Sequence, residues 1–224
     1  MKSQSVVTLD PIDRKKAPGL FGRFFMTRHF GGKRGKRTLP FGHYLFVGKQ
    51  RQGKTVSAVW YMDLLKHKFE KKGYKVKLYT NIGIGECLSR SNLFSVLNAI
   101  LYDKKTIHII LIDEIQSYFP KDTKDKVTLD MIDRLTGEFS QLGKRQIFLL
   151  STAQVYGRLN KNLREQCLYM VNCRLSFTGR FVNDFILGDD VMCDELGRWA
   201  GNPSKIYVHG LPKTKFDTHL LIKL

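Results

Sequence analysis

Directly after the apolar run Tyr44-Leu45-Phe46-Val47 come eight residues, Gly48-Lys49-Gln50-Arg51-Gln52-Gly53-Lys54-Thr55. The pattern G-x-x-x-x-G-K-T, placed between a strand and a helix, is built to hold phosphate. Its glycines let the backbone curl so that successive amide N–H groups point inward. The helix that follows adds the positive end of its dipole. Lys54 is expected to reach the β- and γ-phosphates, and Thr55 to ligate Mg²⁺ through its hydroxyl. The chemistry implied is the binding of a nucleoside triphosphate with its metal.

A second set of residues completes that chemistry. The continuous apolar run Ile107-His108-Ile109-Ile110-Leu111-Ile112 reads as a strand buried on both faces, and it ends in Asp113-Glu114. Ligands of parallel sheets bind at the carboxyl ends of strands. Asp113 therefore arrives where Mg²⁺ is held, and Glu114, one residue on, is placed to polarise an attacking water as a general base. A fourth strand ends Ser151-Thr152-Ala153-Gln154. If that strand neighbours the one ending in Asp113, Gln154 senses the γ-phosphate or orients water. Guanine specificity calls for N-K-x-D. Asn160-Lys161-Asn162-Leu163 lacks the aspartate, and Asp194-Glu195-Leu196-Gly197, which fits D-x-x-G, lies far downstream of Asp113. ATP is the expected nucleotide.

These residues need a scaffold, and the pattern supplies one. His43–Val47 reads as the first strand. The helix after the loop puts Ala58, Met62, Leu65 and Phe69 on one face and ends at Lys71-Lys72-Gly73. Val76–Thr80 is a second strand. Ser91-Asn92 is expected to cap a helix through Leu93, Val96, Leu97 and Ile100. Met131, Leu135, Phe139 and Leu142 mark another helix face. Gln146–Ser151 and Leu168–Val171, the latter extending towards Leu175, are further strands, and Lys205–Val208 and Leu220–Lys223 are two short strand-like pieces. Such alternation implies an α/β fold with a mostly parallel sheet flanked by helices. The chain divides into a basic arm over 1–38, a core over 39–177 and a C-terminal extension over 178–224.

Composition narrows the partners. Of 224 residues, 38 are Lys or Arg against 20 Asp or Glu, a formal net charge of +18, which favours a polyanion: DNA, RNA or an anionic membrane. The hydrophobic fraction of 42% excludes a disordered chain. Cys87, Cys167, Cys173 and Cys193 form no C-x-x-C pair, so neither zinc nor a disulfide framework is indicated and a reducing compartment is expected. No apolar run approaches the roughly eighteen residues of a membrane span, and no signal peptide is evident. The arm carries Leu20-Phe21-Gly22-Arg23-Phe24-Phe25-Met26, aromatic and basic together, which suits a membrane-surface or nucleic-acid anchor or, the preferred reading, docking on the domain or a neighbouring subunit.

Taken together, Gly48–Thr55, Ile112-Asp113-Glu114, and Ser151-Thr152-Ala153-Gln154 followed by Leu163-Arg164 resemble the HerA/FtsK superfamily of DNA-pumping ATPases. Within it, the genome-packaging ATPases of membrane-containing viruses are similar in size. The zonular occludens toxin-like proteins of filamentous phages are similar in detail: Thr80-Asn81-Ile82, Asp113-Glu114-Ile115-Gln116 with Phe119-Pro120, and Phe216-Asp217-Thr218 match their pattern. The resemblance spans residues 42–175 with a weaker echo beyond. It implies a RecA-like P-loop NTPase core, a homo-oligomeric ring, ATP and Mg²⁺ at subunit interfaces and sequence-independent DNA translocation. It also implies an arginine finger donated in trans, Arg145 first and Arg164 second, and the host cytoplasm as the site of action, with a capsid vertex or membrane as partner. Lys49 and Arg51 depart from the small residues common inside such loops, and no transmembrane segment of the filamentous-phage kind is seen. That second departure favours a packaging motor over a phage assembly or extrusion ATPase. A nucleotide-gated adaptor that does not hydrolyse is the reading from another class, and Glu114 disfavours it.

The charge without a base-reading motif predicts salt-sensitive, sequence-tolerant binding. In a titration of duplex DNA, log affinity should fall linearly with log salt, at about −0.9 per phosphate contacted. An affinity flat between low and physiological salt would contradict it.

Overall fold

The computed structural model describes residues 41–216, apart from positions 90, 101, 102, 104, 120–123 and 194–198. The arm over 1–38, Pro120, Asp217, Thr218, the Asp194-Glu195-Leu196-Gly197 stretch and the piece Leu220–Lys223 lie outside the described residues.

Strand β1 (Gly42–Val47) sits in the interior of an eight-stranded sheet. Its neighbours are β5 (Ile147–Ala153) on one flank and β6 (Cys167–Leu175) on the other, both parallel to it. Beyond β5 lie β4 (Thr106–Ile112), β2 (Lys75–Thr80) and the short β3 (Glu86–Cys87), again parallel. Beyond β6 the pairing changes: β7 (Phe181–Leu187) is antiparallel to β6, and β10 (Lys205–His209) is antiparallel in turn to β7. The order is β10-β7-β6-β1-β5-β4-β2-β3, with β8 (Met192–Cys193) and β9 (Trp199–Ala200) paired separately.

The central strands carry apolar side chains at consecutive positions because both faces are covered. Tyr44, Phe46, Phe148, Leu150, Ile109 and Leu111 share one apolar cluster with helix α1 (Lys54–Glu70). Leu45, Val47, Leu149, Ile110 and Ile112 share the other with helices α2 (Leu93–Ala99), α3 (Lys126–Ser140) and α4 (Lys161–Glu165). The α1 face read from the sequence is the buried one: Ala58, Met62, Leu65 and Phe69 are fully covered.

Two local details differ from the sequence reading. Asn92 stands at the start of α2 but makes no side-chain cap; its Oδ1 instead accepts from the Ser89 N–H at 2.7 Å. Side-chain caps stand instead on α3, where Asp125 Oδ2 accepts from the Thr128 N–H at 2.9 Å, and on α4, where Asn160 Oδ1 accepts from the Asn162 N–H at 2.9 Å. Leu142 lies past the end of α3 and is still buried, because the chain turns there and Ile147 N–H donates to its carbonyl at 3.0 Å.

Strand β7 has no counterpart in the sequence reading. Its middle holds Asn183 and Asp184, which break the apolar pattern yet are buried. Their side-chain partners lie across the sheet: Arg174 forks onto Asp184 at 2.9 and 3.1 Å, and Asn183 Nδ2 bonds His209 Nε2 at 3.0 Å, while Asn183 Oδ1 is buried without a partner among the described residues.

His43 on β1 is fully buried, with Nε2 2.6 Å from Ser151 Oγ and Nδ1 3.2 Å from Cys167 Sγ. Burial pulls its pKa from 6.5 to about 3. The unfolded chain thus takes up a proton that the folded chain refuses. Stability is complete above pH 6.5 and falls as the pH drops from there towards 3, by up to about 1.4 kcal/mol per pH unit. Burial lowers His108 and His209 too, so they act in the same direction. His43→Gln should flatten the dependence of unfolding free energy on pH below 6.5 in denaturant titrations; an unchanged slope would refute the assignment.

Candidate functional site

The phosphate loop leaves the carboxyl end of β1 and enters α1 at Lys54. Gly53 is left-handed, φ 75°, and a Cβ built there would stand 2.3 Å from the Phe181 ring, so conformation and space both demand glycine. Gly48 is pressed equally close to β6: a Cβ there would meet the Cys173 carbonyl oxygen at 2.6 Å. Arg51 is also left-handed, φ 60°, and Gln52 N–H donates to the Lys49 carbonyl at 3.3 Å. These conformations curl the loop as the sequence requires. Lys49, Gln50 and Arg51 face solvent, whereas Lys54 is buried and its Nζ donates to the Lys49 carbonyl at 3.3 Å. A buried ammonium held on one carbonyl of its own loop is poised for a stronger acceptor, and phosphate oxygens are that acceptor.

Strand β4 ends beside this loop, and its two carboxylates separate. Asp113 Oδ1 accepts from Thr55 Oγ1 at 2.8 Å and from Thr152 Oγ1 at 2.6 Å. Its backbone is held by Asn81, whose Oδ1 accepts from Asp113 N–H at 2.8 Å and whose Nδ2 donates to the Asp113 carbonyl at 2.9 Å. Glu114 adopts the left-handed conformation, φ 54°, which is uncommon for a residue with a side chain. Its N–H donates to Thr152 Oγ1 at 2.9 Å. Its carboxylate accepts from Gln116 Nε2 on one oxygen and faces Gln154 Nε2 at 3.5 Å on the other.

Strands β4 and β5 are neighbours, so Gln154, just past β5, lies beside the acidic pair. The residues Lys54, Thr55, Asp113, Glu114 and Gln154 all come together. Arg145 and Arg164 do not join them. Arg145 precedes β5, at the amino ends of the parallel strands, the edge of the sheet opposite the phosphate loop, where its Nη1 bonds Glu138 at 2.6 Å and the Leu97 carbonyl at 3.0 Å. Arg164 on α4 leads into β6 at that same far edge, with Nη1 3.1 Å from Cys193 Sγ and its guanidinium 5.3 Å from the Tyr156 ring centroid. Sequence reasoning assigned no role to Asn81, Thr152 or Gln116. Thr152 and Asn81 sit one residue from strand ends in motifs already noticed, but their partners are fixed by strand order alone.

The donor set fits Mg²⁺. Asp113 and Thr55 offer one carboxylate and one hydroxyl at 2.8 Å from each other, beside a loop built for phosphate. Mg²⁺ takes few protein oxygens and shares phosphate oxygens with them.

Over 78% of its length the chain superposes on the N-terminal domain of zonular occludens toxin from Neisseria meningitidis, covering 96% of that domain, with a TM-score of 0.53 and 16% identity. The two share one fold. The genome packaging NTPase B204 of Sulfolobus turreted icosahedral virus 2, in complex with ATP-gammaS, overlaps more loosely: a TM-score of 0.45 at 11% identity, over 78% of this chain and all of that one. No family model matches the chain, and no curated protein does. The fold is thus α/β, a mostly parallel sheet flanked by helices with the phosphate loop after its first strand, as the sequence implied. No helix among the described residues is long and apolar enough to cross a membrane.

Thr152 holds both halves of the acidic turn with one buried hydroxyl. Thr152→Val keeps the shape and leaves the Glu114 N–H and one Asp113 bond without a partner, which should cost about 1–3 kcal/mol in denaturant unfolding. Thr152→Ser should restore most of it. Equal stability of the valine and wild-type chains would show that the turn does not depend on this hydroxyl.

Proposed function

We propose that the chain hydrolyses ATP to drive nucleic acid through a homo-oligomeric ring, as the packaging motor of a viral or phage genome. The observation that carries this reading is the placement of Glu114. Its carboxylate is set one residue from the Asp113–Thr55 pair and bracketed by the carboxamides of Gln116 and Gln154. A switch that only binds nucleotide has no use for a base at that point.

In the proposed reaction Lys54 and the amides of Gly48–Thr55 hold the β- and γ-phosphates. Thr55 and Asp113 would hold Mg²⁺, which would supply positive charge against that developing on the phosphates. Gln154 contacts the γ-phosphate and positions a water on its far side. Glu114 accepts the proton of that water as its oxygen bonds to phosphorus. The bond from the γ-phosphorus to the bridging oxygen breaks, and ADP and inorganic phosphate leave. Arg145 or Arg164 acts on the ATP of a neighbouring copy, a role consistent with both lying at the far edge of the sheet. The +18 charge supports contact with a nucleic-acid backbone without base reading. The capsid vertex or membrane against which such a motor works is engaged through surfaces beyond the site.

Lys54→Ala should abolish nucleotide binding. Glu114→Gln should keep ATP bound and lose about 10²–10⁴ in turnover. Steady-state ATPase, with and without DNA and alongside mass by light scattering, tests the whole reading. A motor is oligomeric and DNA-stimulated. Glu114→Gln hydrolysing at the wild-type rate would sink the role of Glu114.

A further inference from the structure

Strand β6 outruns β1. Asn172 faces Val47, the last residue of β1, and β6 continues through Cys173, Arg174 and Leu175 before turning into β7. Three extra residues carry the β6–β7 turn about 10 Å above the start of the phosphate loop. The overhang is fastened to the loop at three points. Gln52 Oε1 accepts from the Leu175 N–H at 2.7 Å. Gly48 abuts the Cys173 carbonyl, and Gly53 abuts the Phe181 ring. The turn itself is tight: Ser176 N–H donates to the Arg180 carbonyl at 2.8 Å, Gly179 N–H to the Ser176 carbonyl at 3.0 Å, and Ser176 and Thr178 hydroxyls meet at 3.1 Å.

At the top of this fastened turn stands Phe177, with an exposure of 102%, and beside it Leu175 is 45% exposed. A fully exposed phenylalanine on a well-braced turn is an aromatic platform in search of a face to cover. Direction decides what covers it. Asp113, Glu114 and Gln154 stand just past the ends of β4 and β5, on one flank of β1, so the γ end of a triphosphate in the loop faces that flank. The nucleoside must then leave the loop towards the other flank, where β6 and β7 stand.

We propose that the β6–β7 turn is the nucleoside subsite, with Phe177 stacking on the purine and Leu175 lining its sugar side. This rests on the nucleotide-binding reading of the loop. Stacking engages the face of a base and not its edge, so Phe177 contributes affinity for ATP and GTP alike. Selectivity between them lies elsewhere.

The test is calorimetric titration of the full chain with ATP, GTP and inorganic tripolyphosphate, each with Mg²⁺. Phe177 is exposed, so its replacement leaves the core intact. Phe177→Ala should weaken ATP and GTP by about 5- to 100-fold and leave tripolyphosphate unchanged. Phe177→Trp should keep ATP affinity, and its added fluorescence should respond to ATP and not to tripolyphosphate. Wild-type affinity for ATP in Phe177→Ala, with silent fluorescence in Phe177→Trp, would overturn the proposal; so would loss of duplex DNA binding or of oligomers in Phe177→Ala while ATP binds normally. Wild-type chain that binds tripolyphosphate as tightly as ATP would overturn the nucleoside subsite but keep the phosphate loop. Wild-type chain that binds neither would remove the nucleotide reading itself.

Discussion

Asp113 is the point on which the site hangs. Three separate pieces of chain reach it: Thr55 from the start of α1, Thr152 from β5 and Asn81 from the end of β2. A carboxylate that accepts two hydroxyl bonds while its own amide and carbonyl are both satisfied has one orientation. That fixed orientation sets where a cation would be held and which way the next residue turns. Glu114 is held left-handed by the same Thr152 hydroxyl, so the strain of that conformation is borne by the sheet beneath it. The parallel pairing of β4 with β2 and β5 is therefore part of the chemistry as well as of the fold.

The second constraint is the antiparallel edge. Strands β7 and β10 extend the sheet past β6 and bring polar residues into cover. Asn183, His209 and Ser57 form a chain of hydrogen bonds that ties β7 and β10 to α1, and His209 stacks on Trp60 at 4.1 Å. Further along, Asp63 of α1 accepts from the Thr214 N–H and hydroxyl at 2.9 and 2.5 Å. Helix α1 is thereby gripped along its length, with the phosphate loop at its start. Movement of the β6–β7 hairpin and movement of the loop are mechanically linked through Gln52 and Gly53.

The far edge of the sheet has a different character. Arg145 and Arg164 are both there, each engaged by local partners: a carboxylate and a carbonyl for one, a sulfur and an aromatic ring for the other. An arginine serving another copy of the chain must exchange such partners for phosphate oxygens. For such an arginine, the cost of that exchange would tie its engagement to the presence of a neighbour's phosphate.

Much of this was determined by the sequence alone. Gly48, Gly53, Lys54 and Thr55 act through local backbone geometry, which their own spacing dictates. The strands ending in Val47, Ile112 and Ala153 carry apolar residues at consecutive positions, and burial on both faces explains that. What the sequence could not carry was anything depending on which strand lies beside which. Asn81 and Thr152 acquire their roles because β2 and β5 flank β4, a fact of strand order. Strand β7 escaped notice because Asn183 and Asp184 interrupt its apolar pattern, and their partners His209 and Arg174 are brought to them only across the sheet. The nearness of Phe177 to the phosphate loop was hidden for the same reason: more than a hundred residues separate Gln52 from Leu175, and only the overshoot of β6 past β1 joins them.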